Sequence, residues 1–218
     1  MNWFLLVISY IYSLFFCLRY LPLSQAKKIP ILIHPKTKIS KLHKGDIRIE
    51  GRIWKAMIVI GFQGSRGRCN KRTIIHINKG AQLVFKGYAR LAKGCAILVE
   101  KGEMVFGHNM RFNGDCCLAC NCSIIFDEDV VCGWNVQFLT NNGHAVIIDG
   151  VVKEQIKPIK VGKHVWIGSD SVIGKGVEIP DGCVLAHHSI VVKSLPLQNS
   201  LYGGYPAKMI KSNVTWKY

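Results

Sequence analysis

Apolar residues recur every six positions through the last third of the chain. The units VGKHVW, IGSDSV, IGKGVE, IPDGCV, LAHHSI and VVKSLP open at Val161, Ile167, Ile173, Ile179, Leu185 and Val191. Each begins with an aliphatic residue, and the first five place a small one four positions later: Val165, Ser171, Val177, Cys183 and Ser189. Neither a helical period of 3.6 nor strict alternation yields a six. The pattern predicts a short strand, a sharp corner and an inward small side chain, repeated. With three units to a coil, position n stacks on n+18. Val161 then covers Ile179, Ile167 covers Leu185 and Ile173 covers Val191. Gly162, Gly168 and Gly174 are expected at corners, with the positive φ that a Cβ resists.

Followed backward, the same phase runs through Phe106, Phe112 and Leu118, shifts by two, and resumes at Phe126, Cys132 and Phe138. Between about 45 and 100, IRIEGRI, MIVIGF, TIIHI, LVFKG and AILVE read as earlier, irregular coils, interrupted by a protruding basic loop at 61–72. Continuing the phase from Phe138 would bury His144 unpaired, at a cost. The chain is therefore expected to leave the coil near Asn141 and return near Ile159. Loops that leave a rigid scaffold commonly carry function.

The N-terminal stretch at 3–18 is uncharged and a little short of the ~20 apolar residues that span a bilayer. It lacks a basic leader and a small-residue cleavage site. Three readings stay open: a packed or interfacial helix, a membrane anchor, or an oligomer contact. Arg19, Lys27 and Lys28 just behind it favour association of 3–21 with an anionic inner leaflet. The composition, 49% hydrophobic and 19% charged over 218 residues, fits one elongated domain. A net charge of +16 favours anionic partners, but no nucleic-acid motif accompanies it, so nucleic acid is not expected. Of nine cysteines, Cys116 and Cys122 fall at the small inward step with Cys183, which makes them packing residues, not metal ligands. A reduced, cytoplasmic setting follows.

The segments KPIKVGKHVWIG (157–168) and GGYPAKMIK (203–211), with the repeats between them, resemble the hexapeptide-repeat acyltransferases. The specific similarity is to bacterial capsular and surface polysaccharide O-acetyltransferases, and it extends weakly over the whole chain. The resemblance implies an all-β, left-handed parallel β-helix. Its parts are an apolar N-terminal helix and lead-in at 1–40, the β-helix at 41–203 with a protruding active-site loop at 141–159, and a closing segment and tail at 204–218. It also implies a homotrimer with acetyl-CoA bound in a groove between subunits.

In that family a His at the place of His144 is the catalytic base, and an Asp commonly stands two residues before it. Here Asn142 occupies that place, and Gly143 replaces a frequent aromatic, so the group that orients the imidazole is left open. Trp166 matches a Trp beside the thioester, which puts His144, Trp166 and Asn142 in the expected catalytic group. Gly168 is a candidate backbone donor to the oxyanion. Trp166, Gly168, Ala186, Lys193, Pro206 and Lys208 match cofactor positions, and Trp134 and Asn135 are placed to line an acceptor cleft. Chemistry supports a neutral imidazole for deprotonating a sugar hydroxyl near pH 7. The expected reaction is O-acetylation of a sugar hydroxyl of a surface polysaccharide or its precursor, which an acidic acceptor would suit. Two alternatives are N-acetylation of an amino-sugar nucleotide and a decayed, membrane-tethered scaffold. Zinc chemistry on His164, His187 and His188 lacks the ligand spacing, since neighbours on an extended strand point apart.

Overall fold

The three aliphatic ladders predicted from the period are present as register pairs: Val161 with Ile179, Ile167 with Leu185 and Ile173 with Val191. The computed structural model describes residues 3–63 and 71–217. Most of the expected basic loop, residues 64–70, lies outside them. The chain winds as a left-handed parallel β-helix with three faces of nine, seven and six strands. A coil visits the faces in order, as in Val165–Ile167, Val172–Ile173 and Glu178–Ile179. The inward small positions Val165, Ser171, Val177, Cys183 and Ser189 are all fully buried.

Earlier coils are longer. Leu118 pairs with Phe138, and Phe106 with Phe126, both 20 positions on, and the added width holds aromatic rings. Phe85, Phe106 and Phe126 stack with centroids 5.1 and 5.3 Å apart, each such pair contributing about 0.5–1.5 kcal/mol beyond burial. The narrower 18-residue coils carry Val, Ile and Leu instead.

The corner glycines need a different explanation from the one the sequence invited. Gly162, Gly168 and Gly174 are absent from the positive-φ residues, which include His164, Asp170 and Gly176, two positions later. Asn, Asp and His tolerate this conformation better than most residues. Their side chains form ladders: Asn109 donates to Asp129 at 2.6 Å and Asn135 to Asp170 at 3.1 Å. Gly168 is required by close approach, since a Cβ there would lie 2.5 Å from the His187 nitrogen.

The first coil begins at β1 (Ile31–Ile33), inside the segment expected as lead-in. The helix α1 (Trp3–Tyr20) packs along it. β1 is the free edge of the nine-stranded face, and two polar side chains of α1 satisfy it. Ser13 Oγ accepts the Ile33 N–H at 2.9 Å, and Cys17 Sγ donates to the Ile31 carbonyl at 3.7 Å. Ser9 and Ser13 are fully buried; Ser13 caps the strand edge, whereas the Ser9 hydroxyl donates back to the Leu5 carbonyl at 2.7 Å. Gln25 of the short helix α2 (Leu23–Ala26) donates to the Ile49 carbonyl, on the edge strand of the six-stranded face. At the far end Ser200–Gly204 continues the first face and pairs antiparallel with Ala207–Ser212.

Cys116, Cys120, Cys132 and Cys183 are buried, but Cys122 is only partly covered. The two-residue phase shift falls there, so Cys120 takes the inward place. Burial pushes the Cys17 thiol up to about 11 and the Cys120 thiol up to about 12. A raised thiol pKa leaves little thiolate, the reactive form, at pH 8. Iodoacetamide at pH 8 is therefore expected to modify Cys122 in the native protein while sparing Cys17 and Cys120, all three reacting after denaturation. Peptide mapping that found Cys120 labelled before Cys122 would contradict this packing.

Candidate functional site

Every second residue of a strand points outward, and on the first face one outward row runs Val131, Trp166, Val184, Leu201 in register. This row floors a cleft of ≈ 420 Å³ whose walls include Trp134, Gly168, Ala186 and His187. Four residues singled out from the sequence, Trp134, Trp166, Gly168 and Ala186, thus meet at one place. Trp166 is 44% exposed, and its ring lies 6.3 Å from that of Trp216. Trp216 belongs to the C-terminal tail, which folds back on the coil. Its indole stacks on His164 at 4.3 Å and donates to the His164 carbonyl at 2.9 Å. The His164 ring also faces Asp129 Oδ2 at 2.5 Å through Nδ1 and the Trp216 carbonyl at 3.1 Å through Nε2, so it ties the tail to the coil.

The backbone N–H groups of Gly168 and Ala186 are already engaged inside the fold. The Gly168 N–H donates to the Leu185 carbonyl at 2.8 Å, and the Ala186 N–H to the Tyr202 carbonyl at 2.8 Å. Gly168 is therefore not a free oxyanion donor, because the coil-to-coil ladder uses its hydrogen. Among the described residues the His187 N–H has no acceptor, and the absence of a side chain at 168 uncovers it toward the cleft. The sequence reading missed this donor. Its signal was Gly168, whose missing side chain leaves that nitrogen uncovered. Asn135 is not part of the cleft lining: its backbone takes a positive φ and its amide holds Asp170.

The excursion lies elsewhere. It leaves after the second-face strand Gln137–Leu139 and returns at the third-face strand Ile159–Val161. Within it Val146–Ile148 and Val151–Lys153 form an exposed antiparallel hairpin, closed at its base by a bridge from Asn141 to Ile156. His144 stands between bridge and hairpin, exposed. The turn that presents it is fixed by the Gly143 N–H donating to Asn141 Oδ1 at 2.8 Å, with Gly143 at φ +82°. Asn142 is exposed, and its N–H donates to the Gln155 carbonyl at 3.3 Å. Among the described residues no side chain is hydrogen-bonded to the His144 imidazole.

In one chain the first-face cleft and His144 therefore lie at different corners of the prism. Lys193, exposed just after Ile190–Val191, sits at the corner of the excursion. There Ser194 bonds Glu178 and Gly176. Pro206 and Lys208 are exposed on the terminal hairpin, where Lys208 pairs with Gly203, and a Cβ on Gly203 would lie 3.1 Å from that of Ala186. They stand above the cleft without lining it.

No protein-family model matches the chain. A stretch of 113 residues, 49% of the chain, is 34% identical to the galactoside O-acetyltransferase of Escherichia coli K12 and spans about half of that relative, 55%. Over 188 residues the chain is 26% identical to a Klebsiella pneumoniae protein described as an uncharacterized 24.8 kDa protein in the cps region, covering 86% of this chain and 82% of that one. Among solved structures, AntD, an N-acyltransferase from Bacillus cereus in complex with dTDP and coenzyme A, superposes with a TM-score of 0.50. It covers 88% of this chain and 89% of its own at 17% identity, a likeness of fold alone. The hexapeptide ladders, the broken coil and these relatives together make the chain similar to the hexapeptide-repeat acyltransferases.

Proposed function

We propose that the protein is an acetyl-CoA-dependent O-acetyltransferase acting on a sugar hydroxyl of a surface polysaccharide or its precursor, with His144 as general base. The observation that carries this reading is the excursion, which holds an exposed imidazole on a closed hairpin base projecting from an otherwise rigid coil. The acceptor hydroxyl attacks the thioester carbonyl carbon as the imidazole takes its proton. The tetrahedral intermediate collapses, the C–S bond breaks, and the proton passes from the imidazolium to the leaving thiolate. An ester and the free thiol of coenzyme A result, and no covalent enzyme intermediate is needed.

The cleft suits the donor. Trp134 and Trp166 give flat apolar walls to the slender thioester arm, and the bare His187 N–H is an unengaged donor for its carbonyl or amide oxygens. Lys208 at the rim is a point-charge partner for a phosphate. Because His144 and the cleft lie at different corners, the working site takes its imidazole from one subunit and its cleft from the next, in a homotrimer. Asn142 is the nearest residue in sequence able to accept from the imidazole through its amide oxygen.

Purified protein given acetyl-CoA and a chemically deacetylated surface polysaccharide is expected to release free thiol and transfer label to the glycan. Thiol release with an amino-sugar nucleotide alone would replace the hydroxyl acceptor by an amine. Absence of both acetyl-CoA binding and thiol release with either acceptor would leave the scaffold reading in its place.

A further inference from the structure

The charge of the chain is not distributed along the prism. Residues 1–99 hold 18 Lys and Arg against 2 acids, whereas residues 100–218 hold 11 of each. The whole net charge of +16 thus belongs to α1 and the first coils, and the end that carries the first-face cleft beside Trp166 is neutral in sum.

At the basic end a second cleft, of ≈ 780 Å³, opens on the same outer face. Its floor continues the outward row downward through Arg90, Val59 and Leu32, paired in register. Leu5 of α1 and Phe62 complete an apolar wall, and Lys36, Lys71, Arg72 and Lys93 join Arg90 in lining it; among the described residues none of the lining is acidic. Thr37 also faces this cleft. Its hydroxyl oxygen is buried, the residue being only 7% exposed, and has no hydrogen-bond partner among the described residues. An unpartnered buried hydroxyl in an apolar cleft ringed by cations is a place for an anionic oxygen.

The helix beside this cleft is apolar on the side turned away from the protein. Trp3 and Phe4 are 77% and 67% exposed, Ile11 53% and Phe15 67%. No charged residue precedes Arg19. The buried stripe is fixed to β1 through Ser13 and Cys17, so the helix lies along the coil. Such a helix, one face held by protein and the other bare and aromatic, matches the interfacial mode of membrane binding. Cations around it are drawn to anionic leaflets.

We propose that this end of the prism docks on an anionic lipid bilayer. α1 lies in the plane of the interface with Trp3, Phe4, Ile11 and Phe15 among the acyl chains, and the basic cleft receives a lipid phosphate between Thr37, Arg90 and the neighbouring lysines. The proposal is independent of the reaction at His144. It places the protein at the inner face of the cytoplasmic membrane with the neutral end turned away from the lipid.

The test is co-sedimentation of the full chain with vesicles of phosphatidylcholine alone and of phosphatidylcholine with phosphatidylglycerol. Binding is expected to the anionic vesicles, weakening as salt is raised. The I11S/F15S variant should lose it, its two positions being exposed and its melting curve unchanged. The K71E/R72E/R90E variant should bind at least 10-fold more weakly, from about fivefold per basic residue at the surface. Acetyl transfer to a soluble acceptor should be retained by both, which separates failure of docking from failure of the enzyme. Equal binding to both vesicle types, no binding to either, or unchanged binding by both variants would overturn the proposal. It would also fall if a soluble acidic polysaccharide displaced the vesicles and bound the helix variant as tightly as the wild type, which would make the cleft a glycan site.

Discussion

His144→Ala should lower kcat by about 10²- to 10⁴-fold, the usual contribution of a positioned general base, while leaving affinity for coenzyme A within a few-fold. The cleft that suits the donor is built from Trp134, Trp166 and Ala186, at another corner of the same chain, so removing the imidazole takes nothing from it. His144 is exposed on the excursion, and its loss should not move the melting temperature. Steady-state rates with saturating acceptor and calorimetric titration of coenzyme A read the two quantities separately. Unchanged kcat would remove His144 from the mechanism. A matched loss of donor affinity would instead make the excursion a binding element. A mixture of inactive His144→Ala and inactive K208E subunits is also informative. Rescue of activity on mixing requires sites assembled from two chains, and no rescue at any ratio would oppose the shared site.

Gly107→Ala should be among the most destabilising single substitutions available, by about 3 kcal/mol or more on the scale of severe overpacking. The reason is not conformational freedom, because Gly107 is absent from the positive-φ residues. A Cβ there would sit 1.5 Å from the carbonyl oxygen of Asp127, a backbone atom of the next coil that no rotamer change can remove. The coils would have to part. Gly174→Ala supplies the control: it too lies outside the positive-φ set, and its added carbon would sit 3.3 Å from the Val191 oxygen, a contact relieved by a shift of a few tenths of an ångström. Thermal melts followed by circular dichroism should separate the pair by at least about 5 °C, given roughly 2–4 °C per kcal/mol for a chain of this size. Equal melting temperatures would mean that the coils are not stacked as described.

What the sequence allowed one to read divides along a physical line. The stacking of Ile167 on Leu185 and the departure of the chain after Thr140 follow from the period, because inward positions must be apolar and small and a break in them must leave the coil. Side chains that point outward, or that meet across coils of unequal length, obey no period. Gly168 looked like a flexible corner and is a point of contact between coils. The corners with positive φ fall two positions later, at His164 and Asp170. Cys122 looked inward because the widening of the coil by two residues was counted on the wrong side of it. For the site, Trp134, Trp166, Gly168 and Ala186 line one cleft, whereas the uncovered His187 N–H depends on which backbone hydrogens the ladder has already engaged. Ser13 was the least legible residue, since within an apolar helix a serine carries no sign of the strand edge it will satisfy.

That last residue has a consequence for solubility. A parallel β-helix is a stack that nothing in its geometry stops from growing, since an open strand edge is a template for the next chain. Here α1 closes β1 through Ser13 and Cys17, Gln25 covers the edge at Ile49, and Ala207–Ser212 turns antiparallel across the other end of the nine-stranded face. These three edges are thereby closed to end-to-end addition, and a copy trimmed of its first twenty residues would expose the bare edge of β1.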